Sequence, residues 1–375
     1  MGFYWEPNGE LGHALYDWKA QFMINAVKNY SRKLVNEIGF PIKEVSGANM
    51  FNMSHPVVQA YSNLYGDRLY KLPGDKNESE LVMSYDASYP QFNLAKMYQL
   101  SYKDLPFAHF SVADCYRHEQ HGELMLLYRQ RRFNMPDLHP YFENVESAFE
   151  WYPKIEAKLV EGAKAVGREF FISARVSNES NWEMYKEKII GIAKSSGRDI
   201  FMNVDKVDRK LYWIINIDYK IVDSLNRSRE IGCIQIDVGN AKRLGIKYVD
   251  RDGSSRHPII IHSAVPGGIE RYLYMAFDRF NKGFPLWLHP IQVRLIPVND
   301  SFINNCLKIK SELLKKGYRV DIDSRSESIG KRVKHAREEL IPHIQVYGEK
   351  EAAVNNKDFI NSLVSHLLEV GSMMR

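Results

Sequence analysis

The sequence predicts an α+β protein of two domains, a larger one built on strand pairs and a smaller α/β one at the C-terminal end. Three observations carry this. A chain of 375 residues with 45% hydrophobic content exceeds what one core holds, since single cores stop growing near roughly 250–300 residues. Between Ala113 and His139, two runs able to form strands flank a polar turn, which is the pattern of a hairpin. From Ile291 onward, strand-like and helix-like stretches alternate, as they do in a small α/β domain.

The elements follow in chain order. Leu15, Trp18, Phe22, Ala26, Tyr30, Leu34 and Ile38 recur at spacings of three and four, which predicts a long amphipathic helix over Ala14–Ile38, stopped by Gly39. Phe40–Ser46 reads as the strand after it. Asn144–Gly167 and Asn181–Gly197 read as helices closed by glycines, with a strand at Phe170–Val176 between them. Leu211–Tyr219 has high β propensity, and its Trp and Tyr residues read as core. Arg229–Asp237 is a further strand with Cys233, Gln235 and Asp237 on one face. A turn at Arg251-Asp252-Gly253 precedes a strand at Pro258–His262, then Gly267-Gly268 and an apolar-striped helix. The pattern changes between about Asn281 and Leu288, so the expected domains are 1–284 and 285–375. In the second, Gln292–Val298, Tyr318–Asp323 and Pro342–Gly348 alternate with helices at Phe302–Lys316 and up to Glu339, and a final helix begins near Asp358.

Composition removes several classes of function. No run of about 18 apolar residues occurs, so no membrane helix is expected. The start lacks a basic segment leading into an apolar one, so no signal peptide is expected and the location read from it is cytoplasmic. Cys115, Cys233 and Cys306 are too scattered for a disulfide framework, which fits a reducing compartment. A net charge of +5 permits a nucleic-acid partner without demanding one, because phosphate contacts need a local basic patch.

The hairpin stretch is the chemically dense part of the chain. Residues two apart on a strand share a face, so Cys115, Arg117 and Glu119 are expected to point one way, and Asp137 and His139 to share a face. Guanidinium forks bind phosphate, a carboxylate holds an ammonium or an amino group, and Phe133 offers a stacking surface. A solvated charged hairpin is the plainer reading of composition alone. The literal string goes further: Arg117-His118-Glu119, Gly122-Glu123, Arg129, Phe133 and Met135-Pro136-Asp137-Leu138-His139.

This string resembles motif 2 of the class II aminoacyl-tRNA synthetases, and among them the threonyl enzymes of archaea without an editing domain. The resemblance implies an antiparallel catalytic sheet flanked by helices, followed by an anticodon-binding domain. It implies ATP-dependent formation of threonyl-adenylate and transfer to tRNA, with Mg2+ accompanying ATP. Arg117 and Arg271 would be catalytic. Arg117, Glu119, Arg129, Phe133, Gln235 and Arg271 would hold ATP, and Asp137, Cys233 and Gln235 the amino acid. Val238–Arg243 is close to the same pattern, and Gly267–Arg271 resembles motif 3.

The resemblance also implies zinc, held by His139, His262 and a cysteine, but Ser88 stands at the cysteine's position. Cys115, Cys233, Asp86 and Ser88 are the candidates for the third ligand. Loss of zinc with drift towards serine, and a paralogue that no longer charges tRNA but binds or regulates, are the other readings. Motif 1 would build a homodimer, although its usual proline is replaced at Ala48. Arg325, Lys331 and Arg332, with Lys334 and Arg337, form a basic cluster in the second domain and are the expected tRNA contacts. The stretch after Gly348 is shorter than the family's. No region resembles the family's editing domain, so a separate editing protein is an expected partner.

Overall fold

The computed structural model describes residues 1–63, 65–74, 80–206, 211–279 and 284–373. Contacts divide the chain into a unit of Phe3–Tyr16 and Val27–Asp278 and a unit of Met1–Gly2, Asp17–Ala26 and Arg279–Arg375. This division also counts the first turns of the N-terminal helix with the C-terminal unit. Among the described residues no helix is long and apolar enough to cross a membrane.

That first helix, α1, runs from Trp18 to Asn36, a later start than the periodicity suggested. Asp17 is the reason: its Oδ1 accepts the backbone N–H of Lys19 and Ala20 at 2.8 and 3.0 Å, the N-cap arrangement. Ala14–Tyr16 is instead a strand paired with Phe3–Trp5, and Leu15 and Trp18, counted on the apolar stripe, are 44% and 62% exposed.

The larger unit is organised by an eight-stranded sheet. Its strands in chain order are β1 (Ile42–Glu44), β2 (Phe107–Tyr116), β3 (Arg132–Phe142), β4 (Phe171–Val176), β5 (Ile200–Val204), β6 (Trp213–Val222), β7 (Ser228–Asp237) and β8 (Ile259–Ala264). They lie in the order β5-β4-β6-β7-β8-β3-β2-β1. The five inner pairs are antiparallel and the two edge pairs, β4–β5 and β1–β2, are parallel. Alternation along β6 buries Trp213, Ile215, Ile217, Tyr219 and Ile221, as expected for a strand with one face on a core.

Helix α2 (Ser88–Met97), α3 (Val145–Lys164) and α4 (Glu179–Ser196) complete the unit's framework. Asn144 and Asn178 cap α3 and α4, each accepting an N–H three residues on at 2.8 Å, and Gly197 ends α4 at φ +63°, a conformation open to glycine without strain. α3 buries Tyr152, Ile155 and Leu159, contributions of roughly 1.5–3 kcal/mol for each fully buried side chain.

The C-terminal unit is a three-stranded parallel sheet, β10-β9-β11, of β9 (Val293–Pro297), β10 (Val320–Ile322) and β11 (His343–Tyr347). Its core joins Val293, Leu295, Ile309, Leu313, Tyr347 and Leu363. Arg294, nearly buried, donates to Asp321 and Glu339. The final helix begins at Asn356 after a single turn at Glu349–Ala352.

Candidate active site

β2 and β3 pair without interruption from Phe107↔Tyr141 to Tyr116↔Arg132, so the hairpin is wide and regular up to its tip. Beyond Tyr116 the strand ends, although the Arg117 N–H still donates to the Arg131 carbonyl at 2.9 Å. Cys115 lies opposite Phe133, on the face of the pair that also carries Met135 and Asp137. Cys115 is fully buried, and it is absent from the cavity that Arg117 and Glu119 line. Burial pushes its thiol well above the usual range.

The tip folds back through a short helical turn at His121–Glu123 and a bridge between Met125 and Arg129. Leu127 sits at φ +66°, a left-handed conformation uncommon for a leucine, and its N–H donates to Gln130 Oε1 at 2.8 Å. The fold-back delivers Arg129 to two carboxylates, Glu119 Oε2 at 3.2 Å and Glu123 Oε2 at 3.0 Å.

Two further arginines reach the same cavity. Arg117 donates through Nε to the Tyr85 carbonyl at 3.0 Å, with its guanidinium 5.2 Å from the Tyr65 ring centre and 5.1 Å from that of Phe133. Arg271 lies in the first turn of α5 (Ile269–Phe277). It donates to the Tyr128 carbonyl and to the carbonyl and Oε1 of Glu230 at 3.2–3.3 Å. The turn into α5 requires glycine: Gly267 has φ +126°, and a Cβ there would lie 2.8 Å from the Ile231 carbonyl oxygen. Three guanidinium groups thus line one cavity, a set suited to bidentate phosphate binding.

The opposite chemistry fills the other part of the lining, with Asp86, Ser88, Asp137, Tyr212, Cys233, Gln235 and His262. Asp86 accepts the Tyr65 hydroxyl and the Ser88 N–H, each at 2.8 Å, which fixes the start of α2. Asp137 is raised to about 7, first by burial and then by the nearby charge of Asp86. A ligand cation between them would relieve both effects. Gln235 is satisfied at both ends, accepting from Tyr212 at 3.0 Å and donating to Asn216 at 2.8 Å, and it still lines the cavity.

The expected zinc site rests on His139 and His262. His139 meets Gln91 Oε1 through Nδ1 at 3.0 Å and His262 Nδ1 through Nε2 at 3.1 Å, while His262 Nε2 meets Asp237 Oδ2 at 2.7 Å. Gln91 Oε1 and Asp237 Oδ2 accept, so the outer nitrogens donate and the two inner nitrogens of the neutral rings face each other as acceptors. Burial, then His262, pushes His139 well below the usual histidine range. Among the described residues no three His, Cys, Asp or Glu side chains converge to hold a metal. The expected ligands thus stand as a pair of histidines, with a serine hydroxyl at the third expected position, which binds zinc poorly while it keeps its proton.

The cavity lining unites Arg117, Glu119, Arg129, Phe133, Asp137, Cys233, Gln235, His262, Arg271, Asp86 and Ser88. His139 stands behind it, fully buried, and Cys115 lies outside. The sequence reading missed Tyr65, Tyr128 and Glu230 in the lining and Gln91 behind it. It also missed Glu270, whose buried carboxylate accepts Asn134 N and Nδ2 at 2.8 and 2.7 Å. Only the strand face shared by Cys233, Gln235 and Asp237 hinted at Asp237. In the C-terminal unit Lys331 is exposed, and Arg325 pairs with Asp323 at 2.7 Å. Arg332 is buried, donating to the carbonyls of Pro297 and Asp323 at 3.0 and 2.9 Å. That ties its Nη1 to the fold.

An antiparallel-rich sheet whose hairpin and following helix present convergent arginines is the core of a class II aminoacyl-tRNA synthetase. The chain belongs to this family: residues 70–280 match the tRNA synthetase class II core domain (G, H, P, S and T), and residues 292–361 match an anticodon binding domain. It is 41% identical over 361 residues to a threonine–tRNA ligase from Nanoarchaeum equitans, covering 95% of this chain and 56% of that protein. It is 42% identical over 362 residues to one from Hyperthermus butylicus, covering 94% and 57%. The chain thus spans less than two thirds of the length of these curated relatives. Among solved structures, the RNA binding domain of threonyl-tRNA synthetase from Cryptosporidium parvum superposes with a TM-score of 0.86 at 21% identity, covering 99% and 96% of the two chains. Prolyl-tRNA synthetase from Giardia lamblia follows at 0.71 and 16%, covering 96% and 76%. At these identities the likeness is one of fold.

Proposed function

We propose that this chain activates threonine with ATP and transfers it to tRNA. The observation that carries the reading is the polarity of one cavity, which is lined by Arg117, Arg129 and Arg271 and also by the carboxylates Asp86 and Asp137. Such a lining suits a polyphosphate and an ammonium held side by side. In the reaction, a carboxylate oxygen of the amino acid bonds to the α-phosphorus as the bond to the leaving pyrophosphate breaks. The protein's part is alignment and neutralisation of charge. Arg117, between two aromatic rings, faces the charge gathering on the α-phosphate and the amino-acid carboxylate. Arg129 and Arg271 hold the departing phosphates, exchanging Glu119, Glu123 and Glu230 for phosphate oxygens. Magnesium bound with ATP supplies further neutralisation of the phosphates, with Glu230 the lining carboxylate beside Arg271. Glu119 and Phe133 face adenine, and Asp137 and Asp86 the ammonium.

The names of the relatives support threonine as substrate, and the anticodon-binding match supports tRNA as the acceptor, with the exposed Lys331 and the half-exposed Arg325 among its contacts. A cytoplasmic homodimer, with a separate editing protein as a partner, completes the proposal. The test is ATP–pyrophosphate exchange across the amino acids, followed by aminoacylation of tRNA. Exchange with threonine well above serine and valine is expected. Exchange led by serine would change the substrate, and none with any amino acid would end the reading.

A further inference from the structure

The N-terminal strand pair, Phe3–Trp5 with Ala14–Tyr16, stands apart from the eight-stranded sheet, yet it fastens the segment that carries Arg129. The Gly12 carbonyl accepts the Arg131 N–H at 2.8 Å. Glu10 Oε1 accepts Arg131 Nη1 at 2.7 Å, and its other oxygen accepts the Tyr70 hydroxyl at 2.6 Å. Arg131 in turn donates through Nε and Nη2 to the Glu119 carbonyl at 3.0 and 2.9 Å. Gly12 has φ +92°, and a Cβ there would lie 2.9 Å from the Arg131 side chain, so glycine lets the loop come this close.

Tyr16 is the second fastening. Its hydroxyl donates to Glu270 Oε1 at 3.3 Å and accepts from Gln130 Nε2 at 3.1 Å. Burial, and then the charge of Glu270, pushes that hydroxyl above its ordinary range, so it keeps the proton it donates. Gln130, 3% exposed, accepts the Leu127 N–H at its other end at 2.8 Å. Leu127 is the left-handed residue of the tip, a conformation that persists where the surroundings fix it. Between Leu127 and Gln130 lie Arg129 and Tyr128, whose carbonyl accepts Arg271 Nε at 3.3 Å. Glu270 directly precedes Arg271. One hydroxyl thus joins the two segments that carry Arg129 and Arg271.

Building on the activation reading, we propose that Tyr16 and Glu10 are positioning residues for ATP. Tyr16 sets Arg129 and Arg271 at the spacing of the departing phosphates, and Glu10, through Arg131, sets Glu119 for adenine. Neither lines the cavity. Their loss weakens ATP binding and spares the amino-acid part, where Asp86 and Gln235 are held by Tyr65, Ser88 and Tyr212.

Tyr16→Phe removes one oxygen and keeps the ring. In pyrophosphate exchange it should raise KM for ATP about tenfold, the cost of leaving a buried partner unpaired, with KM for threonine unchanged. Equal rises in both constants, or a fall in kcat alone, overturn the proposal, because a loosened fold gives either. Gln130→Leu and the double variant complete a cycle. With a single link the double variant is no worse than Gln130→Leu, and multiplied losses overturn the link. Glu10→Gln, at an exposed position, should raise KM for ATP about threefold without moving the urea midpoint, and no rise overturns its part. If the unaltered protein exchanges with no amino acid, the activation reading ends, and calorimetric binding of ATP with magnesium decides the positioning. A Kd about tenfold weaker for Tyr16→Phe supports it, and an equal Kd, or no binding by the unaltered chain, overturns it.

Discussion

The two parts of the cavity hold their side chains differently. The arginines are partly exposed, 27% for Arg129 and 28% for Arg271, and are held by carboxylates and carbonyls that a phosphate can replace. The histidines of the other part are enclosed, His262 lining the cavity at 7% exposure and His139 behind it at 0%, with their outer ring nitrogens held by Asp237 and Gln91. Exposed pairs are weak and exchange readily for a ligand. Hydrogen bonds made in such enclosed surroundings are costly to break. One part is thus built to trade partners on binding, the other to stay as it is.

Substitutions probe whether the two parts differ in this way. The largest effect is expected at Arg117: changing it to Ala should lower exchange by about 10²–10³-fold, the usual cost of removing a donor aimed at developing charge. Lys would recover little, because it lacks the planar fork. A loss below tenfold would show that the arginines are not where charge develops.

Glu270 comes next. Glu270→Ala orphans the backbone and side-chain N–H groups of Asn134 beneath the cavity, and should lower unfolding stability by about 1–3 kcal/mol. Urea titration checks this, and no loss of stability would mean that water replaces the carboxylate.

Asp137→Asn should raise KM for the amino acid about tenfold while leaving KM for ATP unchanged. If both constants moved together, the division of the cavity into two roles would fail.

The smallest effect is one of pH on the C-terminal unit. Glu339 is lowered from 4.5 to about 2; burial opposes this, and the bonds to Arg294 and Lys19 outweigh it. A depressed folded pKa contributes stability above pH 4.5 that is lost as pH falls towards 2. Thermal unfolding between pH 6 and pH 3 should show the decline, and Glu339→Gln should flatten it.

How much was legible in the sequence follows from the same contrast. Glu119, Arg129 and Phe133 lie within one hairpin, where spacing and residue type travel together, so a contiguous string reveals them. Gln91, His139, His262 and Asp237, in contrast, come from four separate segments. No spacing rule joins those, and two of them are neutral or plainly polar side chains. The strands and the main helices were readable from period and caps. The start of α1 was not, because Asp17's capping outweighed an apolar stripe that runs on past it.

Leu127 shows what such a hairpin tip asks of a chain. Its left-handed backbone would suit glycine better by roughly 1–2 kcal/mol, yet its side chain, 8% exposed, forms part of the cavity wall. Leu127→Gly therefore sets folding and binding against each other at one position. Selection for heat resistance alone would move that residue one way, and selection for turnover would hold it where it is.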